Sequence, residues 1–340
     1  MKAAVLGAAG YVGGELVRLL LQHPGFDLVQ VTSSRLAGKP IWMAHPNLRH
    51  VRELTFTSPT ELDSVDVLFA ALPRGEAAQR LDELGRAARM VVDLGPDFRL
   101  HDDERIAAVY GPAPGRAEVA RTFVSGLPEL HRAALRDATR ISVPGCMATA
   151  AILALHPLTA AGLVEGDVLV DARTGSSGSG GQPTPASHHA ERSGAMRVYQ
   201  PVGHRHEPEI EQACGVRARM TVTAVPRVRG VQVIVHARAR QPVRRAELWQ
   251  VFREAYGQEP FVRLVAQRTG VHRQPDPSFL SGTNFCDIGV DADADGRRVV
   301  VVAALDNLVK GAAGGAVQSV NVATGRPESE GLEFSGLHPA

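Results

Sequence analysis

The side chain best placed for chemistry in this sequence is a cysteine at the start of a helix. Cys146 stands in Pro144-Gly145-Cys146-Met147-Ala148-Thr149, directly ahead of a helical run over residues 148–161. The free N–H groups and the dipole of a helix start stabilise a thiolate and lower its pKa, as a nucleophile for acyl transfer requires. A buried, inert thiol is the competing reading of any cysteine, and it is the one assigned to Cys214 and Cys286, which lack such a setting. The second cluster is Gly203-His204-Arg205-His206-Glu207-Pro208-Glu209. Two histidines, an arginine and two acids so close together can supply a general acid/base and an anion clamp, where a solvated loop is the bland alternative. His204 and His206 have no third ligand at metal spacing, so no metal is expected.

A third group could hold a cofactor. Gly7-Ala8-Ala9-Gly10-Tyr11-Val12-Gly13 falls between an apolar strand pattern over residues 2–6 and a helical pattern carrying Leu16, Leu19 and Leu20 on one face. Glycines at such a turn let the backbone approach a pyrophosphate, which the helix start then stabilises. Gly7, Ala9, Gly10, Tyr11, Val12 and Gly13 are therefore candidate cofactor residues. The second strand ends in Thr32-Ser33-Ser34-Arg35, with Lys39 close behind and no acid. An NAD site usually places a carboxylate there for the ribose hydroxyl, whereas Ser33, Ser34 and Arg35 suit a 2′-phosphate. NADP(H) is the expected cofactor.

The elements that must carry these groups alternate strand and helix as far as residue 145. Strands are expected over 28–31, 65–71 and 90–94, with one helix over 76–88, which implies a doubly wound parallel sheet. Beyond it, strands over 168–174, 220–225, 231–239, 288–291 and 299–305 are interrupted by one helix over 245–256. That is an α+β pattern with a mainly antiparallel sheet. The Gly/Ser/Pro-rich stretch 175–187 reads as a mobile loop, and 308–324 as a helix of small residues. The expected division is residues 1–145 for the cofactor, 146–306 for catalysis and oligomerisation, and 307–340 as a C-terminal helix returning to the first domain.

Composition is that of an ordinary globular chain with room for two cores. The chain has 340 residues, 44% hydrophobic and 21% charged, with a net charge of +1, so no global field favours nucleic acid or membrane. No apolar run approaches the roughly 20 residues of a membrane span. Three cysteines without C-x-x-C spacing argue against a disulfide framework and for a reducing cytoplasm.

Taken together, GAAGYVG, DLGPDFRL (93–100), PGCMAT, GHRHEPEIE, GTNFCDIGV (282–290) and DNLVKGAAGGAVQSVN (306–321) resemble the N-acetyl-γ-glutamyl-phosphate reductase family, in family order over nearly the whole chain. The resemblance implies a Rossmann-type NADP domain joined to an α+β domain, as in aspartate-semialdehyde dehydrogenases. It also implies an NADPH-dependent reduction of an acyl phosphate through a Cys146 thioester, with His204 as acid/base and His206 and Glu209 orienting it or contacting substrate. Arg99 and Arg205 become candidate anion ligands, and Asn307 and Lys310 are expected near the nicotinamide.

Residues 188–194, 197–201 and 270–277 resemble the branch that acts on carrier-bound substrates in lysine biosynthesis. In that branch the amino group of 2-aminoadipate or glutamate is linked to a small acidic carrier protein. Residues 188–206 hold Arg192, Arg197 and Arg205 against Glu191, with four histidines including His189, a local basic surface suited to such a partner. One departure is Val143-Pro-Gly-Cys146-Met147, where many acetylglutamyl-type relatives read Asn-Pro-Gly-Cys-Tyr; Met147 makes that wall more apolar. The alternatives are the same chemistry on free N-acetyl-γ-glutamyl phosphate in arginine synthesis, service to both routes, and an inactive NADP-binding sensor. A dimer or tetramer is the family habit.

Overall fold

The computed structural model describes residues 1–339. The chain divides into two compact units, one of Met1–Pro144 with Ala312–Glu333, the other of Gly145–Gly311 with the tail from Phe334.

The first unit is built on seven strands: Lys2–Leu6 (β1), Asp27–Thr32 (β2), Phe56–Thr57 (β3), Val65–Ala70 (β4), Ala88–Asp93 (β5), Val124–Ser125 (β6) and Arg140–Ser142 (β7). All pair in parallel, in the order β3-β2-β1-β4-β5-β7-β6. Central strands of such a sheet are covered on both faces, which is why β1, β4 and β5 read as continuous apolar runs and are buried almost throughout. The order reverses between β1 and β4. Ligands of doubly wound folds bind outside the carboxyl ends of the strands at such a reversal. The glycine turn after β1 stands there.

The helix Gly314–Ala323 belongs to this unit and is buried at every position. Its small side chains let it pack closely against Tyr11–Gln22 and Pro128–Leu135. His23 Nε2 meets Asn321 Oδ1 at 3.1 Å, and Gln318 Nε2 donates to Glu129 at 3.0 Å and Glu328 at 2.7 Å. Three expectations need correction here. The helix over 308–324 begins with a π-helical turn, Val309–Ala313, because Gly311 N–H bonds back to the Asp306 carbonyl five residues earlier. The division between units falls after residue 311 instead of 306, and the tail from Phe334 joins the second unit. The helix over 76–88 is two helices, Glu76–Gln79 and Leu81–Ala87, because Arg80 leaves helical geometry while its guanidinium holds Glu83 and the Pro59 carbonyl.

The second unit carries Val164–Thr174 (β8), Arg197–Gln200 (β9), Ala218–Ala224 (β10), Val231–Ala239 (β11), Val262–Leu264 (β12), Cys286–Ala292 (β13) and Arg298–Leu305 (β14). Their order is β12-β13-β14-β11-β8-β10-β9. Four of the six pairings are antiparallel and two, β8–β10 and β12–β13, are parallel. The strict alternation in β11 places Val231, Val233, Val235 and Ala237 on the buried face. Against β11 and β14 lies the helix Cys146–Ala160, apolar nearly all round and therefore buried nearly all round.

Two further corrections concern this unit. The stretch 175–187 is fastened at its start: Ser176 and Ser177 donate backbone bonds to Arg227 and Val228, and Ser177 is buried. A second helix, Glu207–Cys214, lies between β9 and β10, hidden in the sequence by its own run of charges. Those charges face inward to backbone groups, as the site shows.

Candidate active site

In the first unit the turn after β1 is shaped by contacts that only glycine permits. Gly7 sits at φ +71°, where a Cβ would also strike the Ala71 carbonyl. A Cβ on Gly13 would run into Gly7 and Ala8, so the helix start lies directly on the turn. Gly10 is the N-cap of Tyr11–Gln22 and offers no capping side chain, so nothing on that residue competes with an anion for the first-turn N–H groups. Ala9 and Val12 are half-buried beside them; Gly10 and Tyr11 are exposed.

The carboxyl edge of the sheet is also where buried polar oxygens lack a hydrogen-bond partner among the described residues. They are Thr32 Oγ1, Asp93 Oδ2 and Ser142 Oγ, the last residues of β2, β5 and β7. An edge built from glycine backbone and polar strand ends fits a dinucleotide. Burial is the main cause that raises the Asp93 pKa to about 7; Asp97 adds to the rise, while Arg99 and the Gly95 N–H oppose it.

At the end of β2, Ser33 is buried and its hydroxyl accepts the Leu36 N–H at 3.2 Å, which forms the turn. Ser34 and Arg35 are exposed, and Arg35 makes no ion pair among the described residues. Arg99 is not simply an open anion ligand. Its Nε donates to Val143 O at 2.9 Å and its Nη2 to Leu94 O at 3.0 Å, tying the ends of β5 and β7 together.

In the second unit Cys146 opens its helix as the sequence suggested, half-buried, with Gly145 as N-cap. The surroundings of that turn explain the GHRHEPE cluster. Glu209 Oε2 accepts the Gly145 N–H at 2.8 Å, and its Oε1 lies 3.9 Å from His206 Nε2. A Cβ on Gly145 would fall inside the His206 ring. Both side chains are almost wholly buried, so they hold the Cys146 turn in place. From the opposite side Gly311 of the π-helical turn leans on Cys146: a Cβ there would come within 2.6 Å of the cysteine Cβ. A π-turn against a reactive group is a recurrent functional device.

His204 is buried, and its ring packs edge-on against His206 with centroids 4.6 Å apart. Its Nδ1 accepts the His206 N–H at 3.1 Å, so the neutral ring carries its proton on Nε2. Desolvation first, and the Arg205 charge second, lower its pKa to about 4. At neutral pH this side chain is a neutral N–H donor. A nitrogen-15 NMR titration is expected to show His204 as the Nε2–H tautomer with no protonation between pH 8 and about 5.5. A histidine with a depressed folded pKa contributes full stability above its unfolded value of 6.5. That contribution, at most about 3 kcal/mol, is lost as the pH falls toward 4.

One residue that reasoning from the sequence left out of the site is Tyr199. Strand β9 pairs with β10 through Gln200↔Val222 and Val198↔Thr223, which leaves Tyr199 as the extra residue of a bulge. Bulges re-aim side chains. The Tyr199 phenol is raised first by desolvation and then by the negative charge of Cys146, with Arg205 opposing, so it stands within electrostatic reach of both. The only sequence signal was its place in the 197–201 block. Replacing Tyr199 by Phe removes one neutral hydrogen-bond donor and is expected to lower kcat/KM by about tenfold in steady-state assays.

The remaining candidates fall into two groups. Arg205 and His189 are exposed, and so is Arg197, which gives one bond to the Glu191 carbonyl at 2.7 Å. Arg192 instead fastens its own loop, donating to Val225 O at 2.6 Å and Ala195 O at 3.2 Å. Asn307 is buried with its amide engaged by Gly230 N–H at 2.8 Å and Ser177 Oγ at 3.0 Å, and Lys310 is buried within the π-turn. Within this unit Asn307 is a structural brace. Cys214, buried with its thiol raised to about 12 by desolvation, and Cys286, fully buried, have no nucleophile's setting.

A nucleotide-type parallel sheet in one unit and a cysteine-opened helix on a mixed sheet in the other define an oxidoreductase of the aspartate-semialdehyde-dehydrogenase type. The solved aspartate semialdehyde dehydrogenase II of Vibrio cholerae shares this fold, with TM-score 0.70 at 19% identity over 94% of this chain and 97% of that one. Residues 2–138 match the family model of the semialdehyde dehydrogenase NAD binding domain, and 146–307 that of its dimerisation domain. A Deinococcus radiodurans protein named LysW-L-2-aminoadipate 6-phosphate reductase is 47% identical over 99% of this chain and 97% of its own length. A Thermomicrobium roseum protein that bears the same name provisionally is 49% identical over 100% of this chain and 99% of its own. The chain belongs to the semialdehyde dehydrogenase family, in its phosphate-reductase branch. It is an enzyme that works with a nicotinamide dinucleotide, and among the described residues no helix is long and apolar enough to cross a membrane.

Proposed function

We propose that this enzyme uses NADPH to reduce a carrier-protein-linked 2-aminoadipate 6-phosphate to the 6-semialdehyde, releasing phosphate, in cytoplasmic lysine biosynthesis. The observation that carries the chemistry is the Cys146 helix start, held by Glu209 and His206 on one side and Gly311 on the other. Full-length identity of 47% to a reductase named for this substrate supports the choice of acyl group. The exposed, ion-pair-free Arg35 beside Ser34 supports NADPH over NADH.

The Cys146 thiolate attacks the carbonyl carbon, the bond from that carbon to the phosphate oxygen breaks, and phosphate departs with the electron pair. A thioester remains on Cys146. When bound, the cofactor supplies hydride to the thioester carbon. The developing oxyanion takes a hydrogen bond from a neutral donor, for which His204 Nε2–H is the candidate. Collapse of the thiohemiacetal breaks the C–S bond and restores the thiol. Arg197 and Arg205 meet the acidic carrier, while Arg192 shapes the loop that presents them. A homo-oligomer, dimer or tetramer, accords with the dimerisation-domain family model.

The test runs the reaction in reverse with phosphate and NADP, comparing carrier-linked 2-aminoadipate semialdehyde with free N-acetylglutamate semialdehyde. Preference for the carrier-linked aldehyde by about a hundredfold, reduced when Arg197 and Arg205 become glutamine, is the expected result. Preference for the acetylated small molecule would move the enzyme to the arginine route and leave the Cys146 chemistry standing.

A further inference from the structure

The first unit holds a second concave site, remote from the glycine turn. An open cavity of about 700 Å³ lies at the amino-terminal edge of the parallel sheet, lined by residues at the beginnings of β1, β4, β5 and β7 and by the end of the helix Gly314–Ala323. The cofactor turn and the polar strand ends are at the other edge. Strands of about six residues at roughly 3.3 Å each place close to 20 Å between the two.

Arg89 and Arg136 both line this cavity, both are exposed, and neither guanidinium has a hydrogen bond or ion pair among the described residues. Arg18, Arg80, Arg116, Arg132 and Arg326 of this unit each hold an acid, whereas these two, like Arg35, hold none among the described residues. Charge of the other sign lines the same cavity. Asp66 is fixed by accepting the Lys2 N–H at 2.8 Å, and Asp137 is exposed. The carboxyl end of the helix adds partial negative charge from its last carbonyls. Apolar surface comes from Met90 and Val322.

We propose that this cavity binds a free acidic α-amino acid, at a site separate from the chemistry. Two carboxylates match the two unpaired guanidinia, a planar fork-to-carboxylate geometry that arginine favours. The ammonium group faces Asp66, Asp137 and the helix end, and the methylenes lie on Met90 and Val322. The volume is in the range of small-molecule sites. This inference is independent of which acyl phosphate the enzyme reduces.

Isothermal titration calorimetry on the full NADP-loaded enzyme tests it, with L-glutamate and L-2-aminoadipate as probes and L-lysine and inorganic sulfate as controls. One acidic amino acid should bind saturably and at least tenfold more tightly than either control. The double variant Arg89→Gln/Arg136→Gln should lose that binding at least tenfold while keeping its melting temperature and its turnover without added amino acid. Undiminished binding in the double variant, sulfate binding as tightly as the amino acid, or no saturable heat with either probe would overturn the assignment.

Discussion

Replacing Cys146 by alanine is expected to reduce turnover by about four to six orders of magnitude and to leave the melting temperature within a degree or two of the parent. The first half follows from covalent catalysis: without the thiolate there is no thioester, and residual rate comes only from binding and from groups that stabilise charge. The second half follows from the environment. Cys146 is half-buried and occupies the first turn of a helix whose N-cap bond, Glu209 to Gly145 N–H at 2.8 Å, does not involve the thiol. Steady-state rates and a thermal melt on the same preparation check both. Mass spectrometry after mixing with acyl phosphate but no cofactor should find an acyl adduct on the parent and none on the variant. A variant that kept more than about one-hundredth of the activity would end the thioester mechanism.

The largest expected loss of stability is at Asp306. Its side chain is fully buried and serves four groups: Gly282 N–H at 2.6 Å, Leu308 N–H at 2.8 Å, Val309 N–H at 3.3 Å and Arg229 Nη1 at 3.3 Å. Alanine at this position leaves buried backbone donors unsatisfied and takes an acid away from Arg229, at a cost of about 3–5 kcal/mol. Urea denaturation should record it as a lower midpoint with an unchanged slope. Activity should fall as well, because Asp306 starts the π-helical turn that brings Gly311 against Cys146. Asparagine in its place keeps the volume and one acceptor, and is expected to recover part of the stability.

Much of this was legible in the sequence for a physical reason. The glycine turn, the doubly wound pattern and the cysteine before a helix are local features, each fixed by a few neighbouring residues. A Cβ on Gly7 meets the Ala71 carbonyl, so a requirement that spans more than sixty residues is still announced by one glycine in the right place. Buried parallel strands announce themselves by apolar runs, and β11 by strict alternation.

The roles of charged and polar residues were not legible in the same way. Arg99, Arg192 and Asn307 have side chains that suit an anion or a cofactor, yet in the fold each gives its donors to backbone carbonyls or takes a buried backbone N–H. A sequence records the side chain and not its partner, and those backbone partners lie between three and seventy-seven positions away. Tyr199 is the converse. Nothing in its neighbours marks it, because the bulge that re-aims it forms only when β9 pairs with β10.

The sequence by itself determined the two kinds of sheet, the glycine turn between β1 and its helix, and the cysteine at a helix start, since each depends on residue type and short-range spacing. Only the tertiary structure decided that His204 is buried with its Nδ1 taken by the His206 N–H, that His206 and Glu209 hold the Cys146 turn, and that Gly311 closes against Cys146. Burial and long-range hydrogen bonding set protonation and orientation, and neither exists until the chain has folded.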